Sequence, residues 1–228
     1  METIKRILED RIVEWITPGK AILIFGARRV GKTILMRKLV DNYPGRAMML
    51  NGEDFDTLAL LENRTIANYR HLLEGVELLA IDEAQNIPYI GNILKLIVDE
   101  VDGIRVLASA SSSFDLLNKT GEPLVGRGTQ FLLTPFSQRE IAQTETALDT
   151  RRNLEARLIY GSYPEVVMAG SFECKTDYLR DIVSAYLLKD ILTIDGLKNS
   201  NKMRELLRLV AFQLGAKFLM KNWENNLA

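Results

Sequence analysis

Two stretches of this chain carry residue types spaced for phosphate chemistry. The first is Gly26-Ala-Arg-Arg-Val-Gly-Lys-Thr33, which fits the phosphate-binding pattern G-x-x-x-x-G-K-[ST]. Gly26 and Gly31 open backbone angles closed to other residues and let amides approach an anion without a β-carbon in the way. Lys32 is placed to neutralise β- and γ-phosphates, and the Thr33 hydroxyl to ligate Mg²⁺. Ala27, Arg28, Arg29, Val30 and the following Ile34 complete the run expected to line a nucleotide. The second stretch is Asp82-Glu83, which follows the apolar run Glu77-Leu-Leu-Ala-Ile81. An aspartate at the carboxyl end of a buried parallel strand points into the crevice where such sheets bind ligands. Asp82 is therefore the second candidate Mg²⁺ ligand, and Glu83 the candidate base that orients an attacking water.

Both stretches need elements to hold them, and the flanking sequence supplies these. Ala21-Ile-Leu-Ile-Phe25 reads as a strand buried on both faces. Ile34-Leu-Met-Arg-Lys-Leu-Val40 has its apolar residues at helical spacing. Strand, glycine loop and helix is the context the first pattern requires, and it argues against a chance turn with a surface lysine. The interval from Lys32 to Asp82 has room for a helix over 33–42, a strand over 47–50 and two short helices over 55–73. Ile90, Ile93, Leu94, Ile97 and Val101 mark an amphipathic helix. Strands follow at 104–108 and 129–133. The fourth of these five strands runs into Ser109-Ala-Ser-Ser-Ser113, where Ser109 and Ser111 are candidate γ-phosphate sensors or helix caps. Arg127, between two glycines, reads equally as a charge-stabilising arginine reaching a phosphate in its own or a neighbouring subunit and as a solvated loop residue. Ser137 and Glu140 have capping-box spacing. His71, the only histidine, reads as a helix-surface residue.

At the amino end, Ile4, Leu8, Ile12 and Trp15 form one stripe of a helix expected to pack beside the nucleotide domain. After about residue 148 the strand signals stop, and helical patterns occupy 151–160, 173–194 and 199–214. This predicts an α/β core over 1–148 and a helical region over 149–228.

Bulk properties exclude several classes. The 228 residues are 47% hydrophobic and 26% charged, with a net charge of −1 and a pI near 6.0. That balance is ordinary for a globular protein and gives no general reason to expect nucleic acid. Cys174 stands alone, so no intrachain disulfide exists, and a reducing, cytoplasmic setting is the expectation. No apolar run approaches the roughly 18 residues of a membrane helix, so no membrane partner is expected. Arg204 and Arg208, with Lys198 and Lys202 nearby, are candidate DNA phosphate contacts, although a solvated helix face explains them as well.

Taken in order, these motifs resemble an AAA-type P-loop ATPase, and more narrowly a prokaryotic group of AAA proteins. The resemblance rests on GARRVGKT and LLAIDEAQNIP, the serines of 109–113, Gly126-Arg127 before Pro135-Phe-Ser137, Gly161-Ser-Tyr-Pro-Glu165 and Tyr186-Leu-Leu-Lys-Asp190. It implies a P-loop NTPase three-layer sandwich, a five-stranded parallel sheet of order 5-1-4-3-2, and a helical lid. It further implies ATP and Mg²⁺ as ligands, hydrolysis by the residues named, and a homo-oligomer or protein partner. Lys189 departs from the arginine usual in the group, so no role is carried to it. Members of the group continue into a winged-helix element and a further domain. Residues 217–228 resemble only the start of that element, so the chain reads equally as a fragment, a truncated form or a natural short form. Three functions compete at this stage: an ATP hydrolase coupling nucleotide state to lid or partner movement, a nucleotide-gated DNA- or protein-binding switch, and, more remotely, a small-molecule kinase.

Overall fold

The structure, a computed structural model, describes residues 4–111, 124, 126–187 and 200–212. Ser112, Ser113, Lys189, Lys198 and residues 217–228 lie outside the described residues, as do the side chains of Lys202 and Arg204. The chain divides into two compact units, 1–167 and 168–228.

The first unit is built on five strands: β1 (Lys20–Phe25), β2 (Ala47–Asn51), β3 (Leu78–Asp82), β4 (Arg105–Ala110) and β5 (Gly128–Leu132). All pair in parallel in the order β2-β3-β4-β1-β5, the order the resemblance implied. Helices α1 (Ile7–Trp15), α2 (Lys32–Asp41), α3 (Phe55–Glu62), α4 (Ile66–Leu72) and α5 (Ile90–Glu100) surround it. The short α6 (Gln138–Ile141), α7 (Ala147–Tyr160) and α8 (Pro164–Met168) come after the sheet.

Strand alternation divides the core into two layers. Ala21, Leu23 and Phe25, with Leu79, Ile81, Val106 and Ala108, join Ile93, Leu94 and Ile97 of α5 in one cluster. Ile22 and Ile24, with Leu78, Ala80 and Leu107, join Leu35, Met36 and Leu39 of α2 in the other. Because successive side chains on a strand point to opposite faces, Asp82 and Ser109 share parity with the layer that faces α2. The central strands β1 and β3 are almost wholly buried, whereas the edge strands β2 and β5 are half exposed. This is why the edge strands carry the weaker apolar signal.

Helix α1 docks differently from the expected stripe. Ile12 is fully buried and Leu8 and Ile16 pack against the α2 layer, but Trp15 is 53% exposed. The last contact passes to Ile16 just beyond the helix, so Trp15 turns outward. A buried ion pair does the rest of the anchoring. Arg6 Nε lies 3.1 Å from Glu140 Oε1, and the same carboxylate oxygen accepts the Ile7 N–H at 2.9 Å. Glu140 Oε2 accepts the Ser137 N–H at 2.8 Å, completing the capping box of α6. The Arg6 guanidinium also donates to the carbonyls of Val30 and Thr134 and lies 4.6 Å from the Phe136 ring centroid. Burial pushes its pKa down, and Glu140 opposes that shift.

The first unit extends past residue 148 because polar ties hold the following segment. Phe136 and Ser162 exchange two hydrogen bonds, Phe136 N to Ser162 O at 2.9 Å and Ser162 Oγ to Phe136 O at 2.6 Å. Arg157 pairs with Glu145 and donates to Gln138. Tyr163 packs on the α2 layer and Val166 is 1% exposed. The second unit, taken by itself, shows α9 (Phe172–Asp181), capped by Ser171, running into a π-helical turn (Ile182–Leu187), and α10 (Ser200–Phe212). Among the described residues no helix is long and apolar enough to cross a membrane.

Replacing Glu140 by alanine leaves Arg6 buried without its counter-charge. The expected loss is about 3–5 kcal/mol of unfolding free energy, measured by urea titration. Lys5→Ala, which breaks an exposed pair with Asp10, is expected to leave the midpoint in place.

Candidate nucleotide site

The glycine loop joins β1 to α2 through two residues in the left-handed region, Arg29 at φ 63° and Gly31 at φ 98°. Gly31 is the N-cap of α2 and supplies no side-chain cap, which leaves the first amides of that helix for an anion. At the other end of the loop, Gly26 is required by crowding. A β-carbon there would run into the Leu133 carbonyl, because the Leu133 N–H donates to Phe25 O at 2.7 Å.

Lys32 is 4% exposed. Its Nζ donates to the Gly26 and Ala27 carbonyls at 3.0 and 3.2 Å and lies 4.0 Å from Glu83 Oε1. The ammonium is thus held inside the curl of the loop. Thr33 Oγ1 donates to Asp82 Oδ2 at 2.6 Å. Two hard oxygen ligands, one from α2 and one from β3, meet at one point, and this donor set suits Mg²⁺ completed by phosphate oxygens and water. Among the described residues no cluster of three or more His, Cys, Asp or Glu holds a metal unaided.

Ser109 is fully buried. Its hydroxyl donates to Asp82 Oδ1 and accepts the Glu83 N–H at 3.1 Å. Its hydroxyl thus engages the end of β3, directly beside the candidate metal ligand and the candidate base. Ser111 lies beyond the end of β4 and is half-buried. Glu83 itself is left-handed, at φ 47°, and its carboxylate accepts from Gln85 Nε2 at 2.5 Å.

A cleft of about 520 Å³ runs alongside, bounded by Thr33, Arg37, Asn51, Glu53, Asp82 and Glu83. Ile34 faces outward, 52% exposed. Arg28 is half-buried and Arg29 pairs with Glu165 at 3.3 Å. Arg127 is not brought to this cleft. Its carbonyl accepts the Ala21 N–H at 2.9 Å, and its side chain pairs with Asp99. It therefore sits at the amino end of the strands, about 17 Å from the loop at roughly 3.3 Å per residue. Reach to the phosphate site of its own chain is excluded. His71 is exposed on α4, as its sequence context indicated, and Arg208 is exposed on α10.

Three residues at the site escaped the sequence reading. Arg37 follows Thr33 by one helical turn, a spacing that was legible. Gly52 and Gln85 had no such signal. Gly52 donates its N–H to Asp82 O at 2.8 Å, and a β-carbon on it would strike the Glu83 carbonyl.

Comparison with known proteins bears on the family and the fold. A family model described as an AAA domain matches residues 18–142, and a model of a domain of unknown function matches residues 151–228. Uncharacterized proteins of Mycobacterium tuberculosis and Mycobacterium bovis are each 25% identical over 199 residues, 86% of this chain. The chain spans 42% of the length of these curated relatives. Among solved structures, a Signal Transduction ATPase with Numerous Domains protein with a tetratricopeptide repeat sensor, from Pyrococcus horikoshii, superposes with a TM-score of 0.50 at 16% identity. That superposition covers 84% of this chain and 34% of the other, and it shows the shared fold.

Gly52→Ala is expected to push the end of β3 out of place. Overpacking of this kind costs about 1–3 kcal/mol, read as a lower thermal midpoint. Any phosphate-releasing activity should fall more than nucleotide affinity, since Glu83 is displaced before Lys32.

Proposed function

Because the chain belongs to the AAA domain family of P-loop ATPases, we propose that it binds ATP with Mg²⁺ and hydrolyses it to ADP and phosphate. The observation that carries this reading is the meeting of Thr33 and Asp82 at 2.6 Å with Glu83 beside Lys32. Loop, metal ligands and candidate base converge at the carboxyl ends of β1 and β3. In this reading the amides of residues 26–34 cradle the phosphates, and Lys32 leaves its loop carbonyls to meet the β- and γ-oxygens. Thr33 and Asp82 would hold Mg²⁺, whose charge offsets that developing on the phosphates. Glu83 orients the water and accepts its proton. Ser109, bonded to Asp82, and Ser111, just beyond β4, are the candidates for sensing the γ-phosphate.

Two finer elements belong to the same proposal. Arg127 can serve phosphate chemistry only in a neighbouring copy, so hydrolysis would quicken on association. Nucleotide state would pass onward through Arg29, because a phosphate near this loop residue competes with Glu165 for its guanidinium. Glu165 stands shortly before the first unit ends, and its release is the local change that a partner would read. A reducing, cytoplasmic setting accompanies this reading, supported by the lone Cys174.

Phosphate release from ATP is the test, run across protein concentration. Wild type should turn over only with Mg²⁺ present and stop on chelation. Glu83→Gln should lose about 100-fold or more in rate while still binding ATP, and Lys32→Ala should lose binding as well. A specific rate rising with concentration, and flattened by Arg127→Ala, supports the contribution in trans. Wild type that binds ATP without releasing phosphate would sink the hydrolase reading in favour of a nucleotide-gated switch.

A further inference from the structure

The candidate base of this site is held from three sides. The Glu83 N–H is bonded to Ser109 Oγ, and its carbonyl abuts Gly52 so closely that no β-carbon fits between them. Its backbone is left-handed, a conformation that persists in a non-glycine residue only where the surroundings impose it. The third hold is on the carboxylate. Gln85 is 6% exposed and lies in the 3₁₀ turn Ala84–Asn86, which Glu83 itself begins. The turn is closed by Asn86 N to Glu83 O at 3.1 Å. From within it, Gln85 Nε2 donates to Glu83 Oε2. Oε1 is left on the Lys32 side, 4.0 Å from the ammonium.

We infer that Gln85 is a positioning residue for hydrolysis: its amide holds Glu83 Oε2 so that Oε1 faces the attacking water beside the γ-phosphate. The inference rests on the hydrolase reading above. A carboxylate free to rotate presents either oxygen, or neither, to a water. One fixed by a donor on a buried turn presents the same oxygen each time, and catalysis by positioning depends on that. Gln85 does not touch the nucleotide in this arrangement, so its effect falls on the chemical step and leaves binding unchanged. The pattern Asp82-Glu-Ala-Gln85 thus contains the base and, two residues on, the group that aims it.

Three substitutions separate the hydrogen bond from mere packing. Gln85→Met keeps the shape and loses the donor. Gln85→His returns an N–H at nearly the same reach, and Gln85→Glu replaces the donor by an acceptor. Turnover, KM for ATP and the Kd of a fluorescent ATP analogue are measured for each, beside wild type and Glu83→Gln. The expectation is a kcat about tenfold or more lower in Gln85→Met, in line with loss of a hydrogen bond to a charged group. Gln85→Glu should be lower still, Gln85→His should recover most of the loss, and KM and Kd should stay within about twofold throughout. A crystal structure of Gln85→Met should show the Glu83 carboxylate rotated from its present position, and that of Gln85→His should show it retained. If Gln85→Met turns over at the wild-type rate while Glu83→Gln is inactive, this inference fails alone. An unmoved carboxylate in Gln85→Met also overturns it. A wild type without turnover overturns the hydrolase reading and this inference together.

Discussion

The Asp82 carboxylate is the point on which the site depends. It is 5% exposed, and a buried carboxylate is costly unless strong donors surround it. Thr33 and Ser109 each donate to one of its oxygens, and such charge-assisted bonds are about twice as strong as neutral ones. Through that single side chain α2, β3 and β4 are held at one point. The glycine loop spans β1 and α2, and Lys32 curls it by donating to the Gly26 and Ala27 carbonyls. The hydroxyl protons of Thr33 and Ser109 offset the negative charge that burial would otherwise leave uncompensated.

A second buried charge supports the outer side of the loop. Arg6 and Glu140 belong to segments far apart in the chain, and they pair beneath Phe136 while Arg6 also reaches the Val30 carbonyl. The first helix, the glycine loop and the segment after β5 are thereby joined. This explains why α1 remains fixed although Ile12 is its only fully buried residue. Isolated apolar contact of that size would be weak. The ion pair, completed by the Ile7 amide and the α6 capping box, adds direction to it.

Much of the framework was legible in the chain because its signals are local. Ala21–Phe25 and Leu78–Ile81 are unbroken apolar runs, and only a strand covered on both faces tolerates them. The Ser137–Glu140 spacing announced its capping box, and the residues of α5 announced their buried face. The parallel order of the sheet came from resemblance in the succession of motifs. No single strand carries that information. Trp15 misled because a helical stripe does not say where the packing contact ends. The compact unit runs on to residue 167 through pairs such as Phe136–Ser162, which leave no periodic trace in the chain.

At the site, sequence by itself determined which residues are chemically suited to phosphate and cation: Lys32, Thr33, Asp82 and Glu83 lie in patterns whose spacing is set by one loop and one strand end. Tertiary structure decided where the remaining residues stand. Arg127 stands at the far end of the strands because β5 runs parallel to β1, so its own phosphate site is out of reach. Ser109 faces Asp82 because strand alternation turns it to the same side as α2. Gln85 meets Glu83 only because a left-handed residue bends the chain into a 3₁₀ turn, and Gly52 matters only because β2 ends against β3. Local patterns encode composition and period. Pairings across strands and turns depend on where the chain returns in space, and that is settled only when the core packs.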